Sequence, residues 1–218
     1  MIRGLIFALQ FLTRLPIPFD IKLDRDVISK STIFFPYVGI FISLIAFIIY
    51  WLFLKFDRFI AAFLSVFSII FVTGGLHIDG LADTCDGFFS NRPKERILEI
   101  MKDSRIGTFG VLAIIFDIFL KYLLVLKLPT NMVLTAFMVS LGLGRLEMSL
   151  LFTFGRSAKN GGLGNLFTEN NTQLYWLIAF FSFSILCYIM LGWYYFVVLG
   201  FVTFTAFLIM LVSYKKIG

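Results

Sequence analysis

Cysteine is nearly absent from this sequence, with only Cys85 and Cys187 among 218 residues. These two provide neither a disulfide framework nor the spacing of a metal finger. We interpret both as small structural residues and leave a chemical role open for Cys85, because it adjoins an acidic segment. Charged residues are also few, at 15% of the chain, and only 13 residues are acidic.

Apolar residues are abundant instead. They make up 60% of the chain, include 29 Phe, and give a mean hydropathy of +0.95. A soluble domain with a single core does not need so much apolar material, so we predict an integral membrane protein. In a soluble protein the net charge of +6 would suggest that the protein binds nucleic acid. In a membrane protein, basic residues on the cytoplasmic side of the bilayer explain this charge. We therefore expect the lipid bilayer as a partner and no nucleic acid.

The apolar runs predict an all-α, polytopic membrane fold. They are too long for the strands of a membrane β-barrel, which alternate over about 10 residues. No internal repeat divides the sequence, so we predict one transmembrane helical domain over residues 1–218. It would contain six spans, at about Ile33 to Leu54, Phe59 to Thr73, Ile106 to Leu126, Met132 to Phe154, Leu174 to Leu191 and Trp193 to Val212.

The first stretch, Met1 to Pro18, is apolar but too short for a span, which needs about 20 residues. Arg3 and Arg14 interrupt it, and it has no small-residue cleavage site of the kind that ends a signal peptide. We predict an N-terminal interfacial helix here. A polar linker, Asp20 to Lys30, follows it.

The distribution of basic residues predicts the orientation. If six spans alternate in direction, fourteen Lys and Arg fall on the side of the N-terminus, and only Lys55, Arg58 and Lys127 fall on the other side. The positive-inside rule then places the N-terminus in the cytoplasm, in a multi-pass protein of the cell membrane. The same side receives a polar segment at 76–105 and a second loop, Gly155 to Gln173. We predict that these two loops converge on one cytoplasmic site.

Over a third of the carboxylates lie in the stretch Phe71 to Ala113. If residues 79–87 are helical, Asp79, Asp83 and Asp86 are spaced i, i+4 and i+7, within about 60° of one another on one face. Three like charges repel, so such a face either looks into water or holds a hard cation such as Mg²⁺.

Four charged residues lie within predicted spans. Asp117 and Lys121 are spaced i, i+4 and can neutralise each other. Arg145 and Glu147 point in different directions on a helix, and an intramembrane charge is by default a hypothesis about function. Arg145 either lines a substrate cavity open to the cytoplasm or forms a buried pair with Asp117 or Glu147 that fixes helix packing.

Two motifs resemble those of a known family. GGLHIDGLADTCDG at 74–87 and EIMKDSRIGTFGV at 99–111 are similar, in order and spacing, to the signature of the cobalamin synthase family, also called adenosylcobinamide-GDP ribazoletransferase. A weaker resemblance extends to FLTRLPIP at 11–18, to Arg145, and to Gly162-Leu163-Gly164 with Phe167. The resemblance covers most of the chain.

The resemblance implies a polytopic membrane transferase that performs the last assembly step of the cobamide nucleotide loop. Such an enzyme joins α-ribazole, or its 5′-phosphate, to adenosylcobinamide-GDP and releases GMP. Family members usually continue past a segment like Lys215 to Gly218 into a Thr-Gly-Asp-containing motif and another apolar span. If that motif contributes to catalysis, we expect the 218-residue chain to insert and fold but to have little activity.

Displacement at a diphosphate depends on positioning, on charge neutralisation and on a base near the nucleophile. We predict a Mg²⁺ site formed by Asp79, Asp83, Asp86 and Asp103. His77, the only histidine, would be the base near neutral pH, with a structural role left open. Phosphate oxygens would bind the cationic side chains of Lys102, Arg105, Arg145 and Arg156. They would also bind backbone N–H groups at Gly74, Gly75 and Gly107, with Gly110, where glycine permits close approach. Helix packing alone would also explain these glycines.

Two other functions remain open at this stage. A CDP-alcohol phosphatidyl transferase would share the D-x-x-D-G opening at Asp83 to Gly87, but Ser90-Asn91 stands where that pattern has Ala-Arg. A cation-coupled membrane transporter would bind its coupling ion with carboxylates, but those usually lie in broken spans near the midplane of the bilayer. The sequence also leaves a homo-oligomer open.

Overall fold

A computed structural model describes residues 1–158 and 161–218, with the exception of the Leu163 side chain. Lys159 and Asn160, which belong to the predicted second loop, lie outside the described residues. Within those ranges the chain is helical and contains no β-strand, which confirms the all-α prediction. The helices are α1 Ile2–Leu12, α2 Arg25–Ser31, α3 Phe35–Leu54, α4 Arg58–Thr73, α5 Leu76–Phe89, α6 Lys94–Ile100, α7 Thr108–Lys127, α8 Val133–Phe154, α9 Gly162–Asn170, α10 Gln173–Leu191 and α11 Tyr194–Ile217.

Several helices are long and apolar enough to cross a membrane. Within the described residues there are five such stretches, Arg25–Leu54, Thr108–Lys127, Thr130–Phe154, Gln173–Leu191 and Tyr194–Ile217. Helices α4 and α5 are long and apolar enough to cross a membrane only when they are counted together, and they are bent by 87° relative to each other. The polytopic fold is therefore confirmed. The number of crossings in the described part of the chain is therefore five, or six if α4 and α5 form one broken span, and the predicted crossing at about Phe59 to Thr73 stays a prediction. Three carboxylates in the 14 residues of α5 suit water better than lipid.

Two glycines produce the bend between α4 and α5. Gly74 and Gly75 have φ angles of +62° and +75°, in the left-handed region that side chains with a Cβ rarely adopt. The N–H of Gly75 donates to the Ile70 carbonyl at 2.9 Å, and that of Gly74 donates to the Phe71 carbonyl at 3.1 Å. This pattern is a Schellman motif, which ends α4 and lets α5 start in a new direction.

The chain divides into two compact units. The first consists of Met1–Leu44 and Leu134–Met210, and the second consists of Ile45–Val133 and Leu211–Gly218. The acidic segment and the start of α7 belong to the second unit, whereas the loop Gly155 to Gln173 belongs to the first.

An aromatic cluster forms one core of the first unit. Phe167 of α9 is fully buried, and its ring centroid lies 4.6 to 6.1 Å from those of Phe7, Phe11, Phe35 and Phe152. Stacked and edge-on rings at these distances stabilise a core beyond the area that they bury. The predicted second loop thus contains a helix, α9, that is packed against α1, α3 and α8 rather than projecting freely.

The N-terminal helix is shorter than predicted. α1 ends at Leu12, and the side chain of Gln10 donates to the carbonyls of Ile17 and Phe19 at 3.1 and 2.8 Å, which folds the extended segment back along the helix. α1 buries one face against α2, and its interfacial location stays a prediction. The predicted polar linker contains α2, which begins after Asp24, whose carboxylate accepts a hydrogen bond from the Val27 N–H at 2.8 Å.

The second unit carries the acidic helix. α5 packs mainly against α7, and it also contacts α4 and α6. The segment predicted as a polar loop at 76–105 is therefore mostly helical, over α5 and α6. Phe88 and Ile97 form a small buried cluster between these two helices, together with Ile217 from the end of α11.

Candidate active site

The carboxylates of α5 share one face, as predicted. Asp79, Asp83 and Asp86 all lie within the helix Leu76–Phe89, so their spacing of i, i+4 and i+7 aligns them. Asp79 is exposed and Asp83 is half-buried. The pKa of Asp83 is raised, first by partial burial and then by the negative charges of Asp79 and Asp86. A cation placed here would relieve this repulsion.

Asp86 has partners within the protein. Its Oδ2 accepts a hydrogen bond from the Gly107 N–H at 2.7 Å, and its Oδ1 accepts one from the Gly110 N–H at 2.8 Å. These two N–H groups belong to the start of α7, where Gly107 offers no side chain to cap the helix. Asp86 therefore caps α7 from a different helix and ties α5 to it.

Gly107 and Gly110 allow this contact. A Cβ on Gly107 would lie 2.5 Å from Asp86 Oδ1, and a Cβ on Gly110 would lie 2.4 Å from Asp86 Oδ2. Both distances are too short for any side chain, so the carboxylate needs glycine at both positions. We predicted substrate phosphate at this helix start. In the structure the Asp86 carboxylate accepts the N–H groups of Gly107 and Gly110, and phosphate binding there stays a prediction.

Asp103 is engaged elsewhere. It forms an ion pair with Arg105, with Nη2 to Oδ2 at 2.7 Å and Nε to Oδ1 at 3.0 Å, and it also accepts a bond from the Arg105 backbone N–H at 3.0 Å. These side-chain and backbone hydrogen bonds lower the pKa of Asp103 to about 2. The pair also uses part of the Arg105 guanidinium that was predicted to bind phosphate.

The structure does not assemble the four predicted metal ligands. Within the described residues, no three His, Cys, Asp or Glu side chains lie close enough to hold a metal ion together. Asp86 and Asp103 have the partners described above, and the described hydrogen bonds and ion pairs do not involve the side-chain carboxylates of Asp79 and Asp83. Two carboxylates nevertheless fit Mg²⁺, which is usually bound by one or two carboxylates, substrate phosphates and water.

His77 lies in the first turn of α5 and is exposed. At about 100° per residue it projects about 200° around the helix from Asp79, on the face opposite the carboxylates. Its role as a base stays a prediction, and helix geometry does not support one that acts directly beside Asp83. Lys102 is exposed in the turn after α6, where phosphate can reach it.

Gly74 and Gly75 use their N–H groups in the turn. Both donate to carbonyls at the end of α4, so the backbone donors that we predicted for phosphate are occupied within the protein. The structure explains these glycines by the bend, and phosphate binding by them stays a prediction.

The remaining predicted phosphate ligands lie in the first unit. Arg145 in α8 is 4% exposed and donates from Nη1 to the Leu141 carbonyl at 2.9 Å, while its Nε and Nη2 have no partner among the described residues. Glu147 accepts a bond from Thr203 Oγ1 at 2.6 Å, and it does not form an ion pair with Arg145 in the described part of the chain. Arg156 is exposed.

Asp117 and Lys121 in α7 behave as the sequence predicts. Their side chains form an ion pair at 2.6 Å across one helical turn. Asp117 is therefore neutralised within its own helix.

Sequence reasoning missed the capping role of Asp86. The available signal was the start of α7, where Ile106, Gly107 and Thr108 place no capping side chain at the N-cap position. A helix start without its own cap needs an acceptor from elsewhere in the fold. The helical face of three aspartates supplies that acceptor, but the sequence does not show which aspartate reaches it.

Comparison with known proteins identifies the family. The family profile described as cobalamin-5-phosphate synthase matches residues 4–218. The chain belongs to this family. Its relatives include proteins named adenosylcobinamide-GDP ribazoletransferase. The one from Caldanaerobacter subterraneus subsp. tengcongensis is 45% identical over 172 residues, which cover 77% of this chain and 68% of the relative.

Two relatives of the same name match more of the chain. The protein from Clostridium novyi is 38% identical over 88% of this chain and 78% of its own length. The protein from Clostridium tetani is 34% identical over 100% of this chain and 87% of its own length. No solved structure was found to match. Membership of this family disfavours both the phosphatidyl transferase and the transporter.

Proposed function

We propose that this protein joins α-ribazole, or its 5′-phosphate, to adenosylcobinamide-GDP, and releases GMP. The product is adenosylcobalamin or its 5′-phosphate. The observation that carries this proposal is membership of the cobalamin-5-phosphate synthase family over residues 4–218. The carboxylates on one face of α5 and the exposed Lys102 in the turn that follows α6 suit the same chemistry.

The reaction is a displacement at phosphorus. The ribose hydroxyl oxygen of the ribazole attacks the phosphorus that carries the cobinamide, and a new P–O bond forms. The P–O bond to the GMP part breaks, its electron pair goes to the departing phosphate oxygen, and the hydroxyl proton goes to a base. A diphosphate concentrates negative charge, so positioning and charge neutralisation dominate such catalysis.

Asp79 and Asp83 are the residues that would hold Mg²⁺. When bound, Mg²⁺ would neutralise charge on the diphosphate and on the departing phosphate. The exposed Asp79 and the half-buried Asp83 contribute a negatively charged patch one helical turn long, which leaves coordination positions open for substrate oxygens. Asp86 supports this patch by holding α5 against the start of α7.

Cationic side chains complete the proposed site. Lys102 lies in the same unit as α5 and binds phosphate as a point charge. Arg145 and Arg156 belong to the first unit, and their role as phosphate ligands stays a prediction. Arg145 suits this role because a buried guanidinium with two unpartnered nitrogens binds an anion strongly. His77 is the base to test, since it is the only histidine.

We also propose that the protein lies in the cell membrane and that α5 is on its cytoplasmic side. The excess of fourteen basic residues over three on the side of the N-terminus supports this orientation. Cys85 is half-buried in α5, while Cys187 is fully buried. A membrane-impermeant thiol reagent should therefore label Cys85 in inverted vesicles and spare it in right-side-out vesicles, whereas the opposite pattern would reverse the orientation.

The function is tested with purified protein, adenosylcobinamide-GDP and α-ribazole. We expect GMP and a complete cobamide to appear in equal amounts, and GMP to appear only when a ribazole is present. Release of GMP without a ribazole would indicate a hydrolase. Absence of even slow GMP release, with either α-ribazole or its 5′-phosphate and in protein shown to be folded, would contradict the proposal.

A further inference from the structure

The end of α11 contacts the end of the acidic helix. Lys216 Nζ donates a hydrogen bond to the Phe88 carbonyl at 2.7 Å, and Lys94 Nζ donates to the Gly218 carbonyl at 3.2 Å. Ile217 is 9% exposed and packs in a buried cluster with Phe88 and Ile97. All these residues belong to the second unit.

The contact suits the electrostatics of α5. Phe88 is near the C-terminus of α5, where the last carbonyls have no partner within the helix and carry partial negative charge. The Gly87 carbonyl is satisfied by the hydroxyl of Ser90 at 2.6 Å. Lys216 supplies a positive charge and a donor to the next carbonyl, from a helix distant in sequence.

The other end of α5 follows the turn at Gly74 and Gly75. Its helical residues begin at Leu76, and Asp79 and Gly80 are exposed. A 14-residue helix moves nearly as a rigid rod, so the positions of Asp79 and Asp83 depend on what holds its C-terminal half. The contacts that hold it include Asp86 with the start of α7, the ring of Phe89 against that of Phe109, and Phe88 with the end of α11.

We propose that Lys216 and Ile217 are positioning residues, which fix the C-terminal end of α5 and thereby set the placement of Asp79 and Asp83. This inference rests on the proposed function for the role of those carboxylates. The contact itself does not depend on that function, so the two can fail separately.

The test compares Lys216→Met with Lys216→Arg and Lys215→Met. Methionine keeps an apolar stem and removes the donor, arginine keeps a donor, and Lys215 is an exposed neighbour that serves as the matched control. The first measurement is the rate at which a small thiol reagent labels Cys85, which lies in α5 three residues before Phe88. Cys187 is fully buried and should remain unlabelled if the overall fold is intact.

We expect the reagent to label Cys85 at least about 10-fold faster in Lys216→Met than in the wild type, because the variant loses a hydrogen bond from a charged group. Its kcat should fall by a similar factor while the KM for each substrate changes little. Lys216→Arg should restore most of both values, and Lys215→Met should match the wild type in both.

Unchanged labelling of Cys85 in Lys216→Met would overturn the inference, whatever happens to turnover. Faster labelling with unchanged kcat would also overturn it, since α5 would then move without consequence for the carboxylates. If the wild type itself has no turnover, the proposed function fails, and the labelling rates alone decide whether Lys216 holds α5.

Discussion

The two halves of α5 carry the same residue type on the same face and use it differently. In the first half, Asp79 is exposed and Asp83 is half-buried, and the described hydrogen bonds and ion pairs do not involve either carboxylate. In the second half, Asp86 accepts two backbone hydrogen bonds from the start of α7, at 2.7 and 2.8 Å. The second half also ends in the buried cluster around Phe88.

The difference follows from the partners that each carboxylate meets. A carboxylate bonded to two backbone N–H groups has satisfied both of its oxygens and contributes to folding. An unpaired carboxylate beside like charges contributes repulsion to folding and is available to a cation. We infer that the second half of α5 builds the site and that the first half carries the chemistry.

The largest effect should come from Asp83→Asn. Asparagine keeps the size and hydrogen-bonding capacity but removes the charge, so turnover should fall about 10³-fold or more through lost metal binding and transition-state neutralisation. The melting temperature without Mg²⁺ should be unchanged or slightly higher, because one repulsive charge is gone. Steady-state kinetics and thermal unfolding of the same preparation check both. Normal turnover would mean that Asp83 belongs to a solvated face only.

Asp86→Asn should act mainly on stability. An amide offers one acceptor oxygen and turns its NH₂ group towards a backbone N–H, so one charge-assisted bond is lost and a donor is left facing a donor. We expect a loss of about 2 kcal/mol in the free energy of unfolding. Chemical denaturation measures it, and Asp79→Asn, on the exposed half of the same face, is the control. Equal stability of the two variants would contradict the capping role.

Two glycine substitutions should change the stability of the protein in opposite directions. A Cβ on Gly110 would lie 2.4 Å from Asp86 Oδ2, whereas a Cβ on Gly80 in the exposed half of α5 would meet nothing within 4 Å. Gly110→Ala should therefore destabilise by about 1 to 2 kcal/mol through overpacking. Gly80→Ala should stabilise by up to about 1 kcal/mol, because alanine is the better helix former. If Gly110→Ala also stabilised the protein, the close contact with Asp86 would be wrong.

The smallest effect should come from the pH dependence of Asp103. Its pKa in the folded state is about 2, below the ordinary value, because Arg105 bonds to its charged form. The contribution of this pair to stability is therefore present above about pH 4 and is lost as the pH falls through the folded pKa. The difference in melting temperature between wild type and Asp103→Asn should shrink between pH 4 and pH 2. A difference that is constant across this range would rule out the pair as its source.

The sequence predicted the spans well because hydrophobic length determines them. Runs such as Leu174 to Leu191 match α10 almost residue for residue, since the thickness of the bilayer demands about 20 apolar residues. The short helices α2, α6 and α9 were missed because they are held by contacts from distant parts of the chain. α9, for example, depends on Phe167 packing among rings from three other helices.

The site shows the same division. The spacing of Asp79, Asp83 and Asp86 on one helical face follows from local periodicity and is confirmed. The pairing of Asp86 with α7 joins residues 21 and 24 positions apart, and the contact of Lys216 with Phe88 joins residues 128 positions apart. Such partners are set by tertiary structure, so composition and spacing do not reveal them. The family resemblance identified the motifs, but it did not show which of the three aspartates caps α7 and which are available to a cation.

The central claim is that Asp83 binds the cation, whereas Asp86 stabilises the fold by capping α7. The most direct test is the melting temperature of Asp83→Asn and Asp86→Asn as a function of Mg²⁺ concentration, since a ligand that binds only the folded state raises it. We predict that Asp83→Asn starts at or above the wild-type value and shows little rise with Mg²⁺. Asp86→Asn should start lower and keep most of the wild-type rise. The reverse pattern, with the Mg²⁺ response lost in Asp86→Asn and kept in Asp83→Asn, would contradict this division.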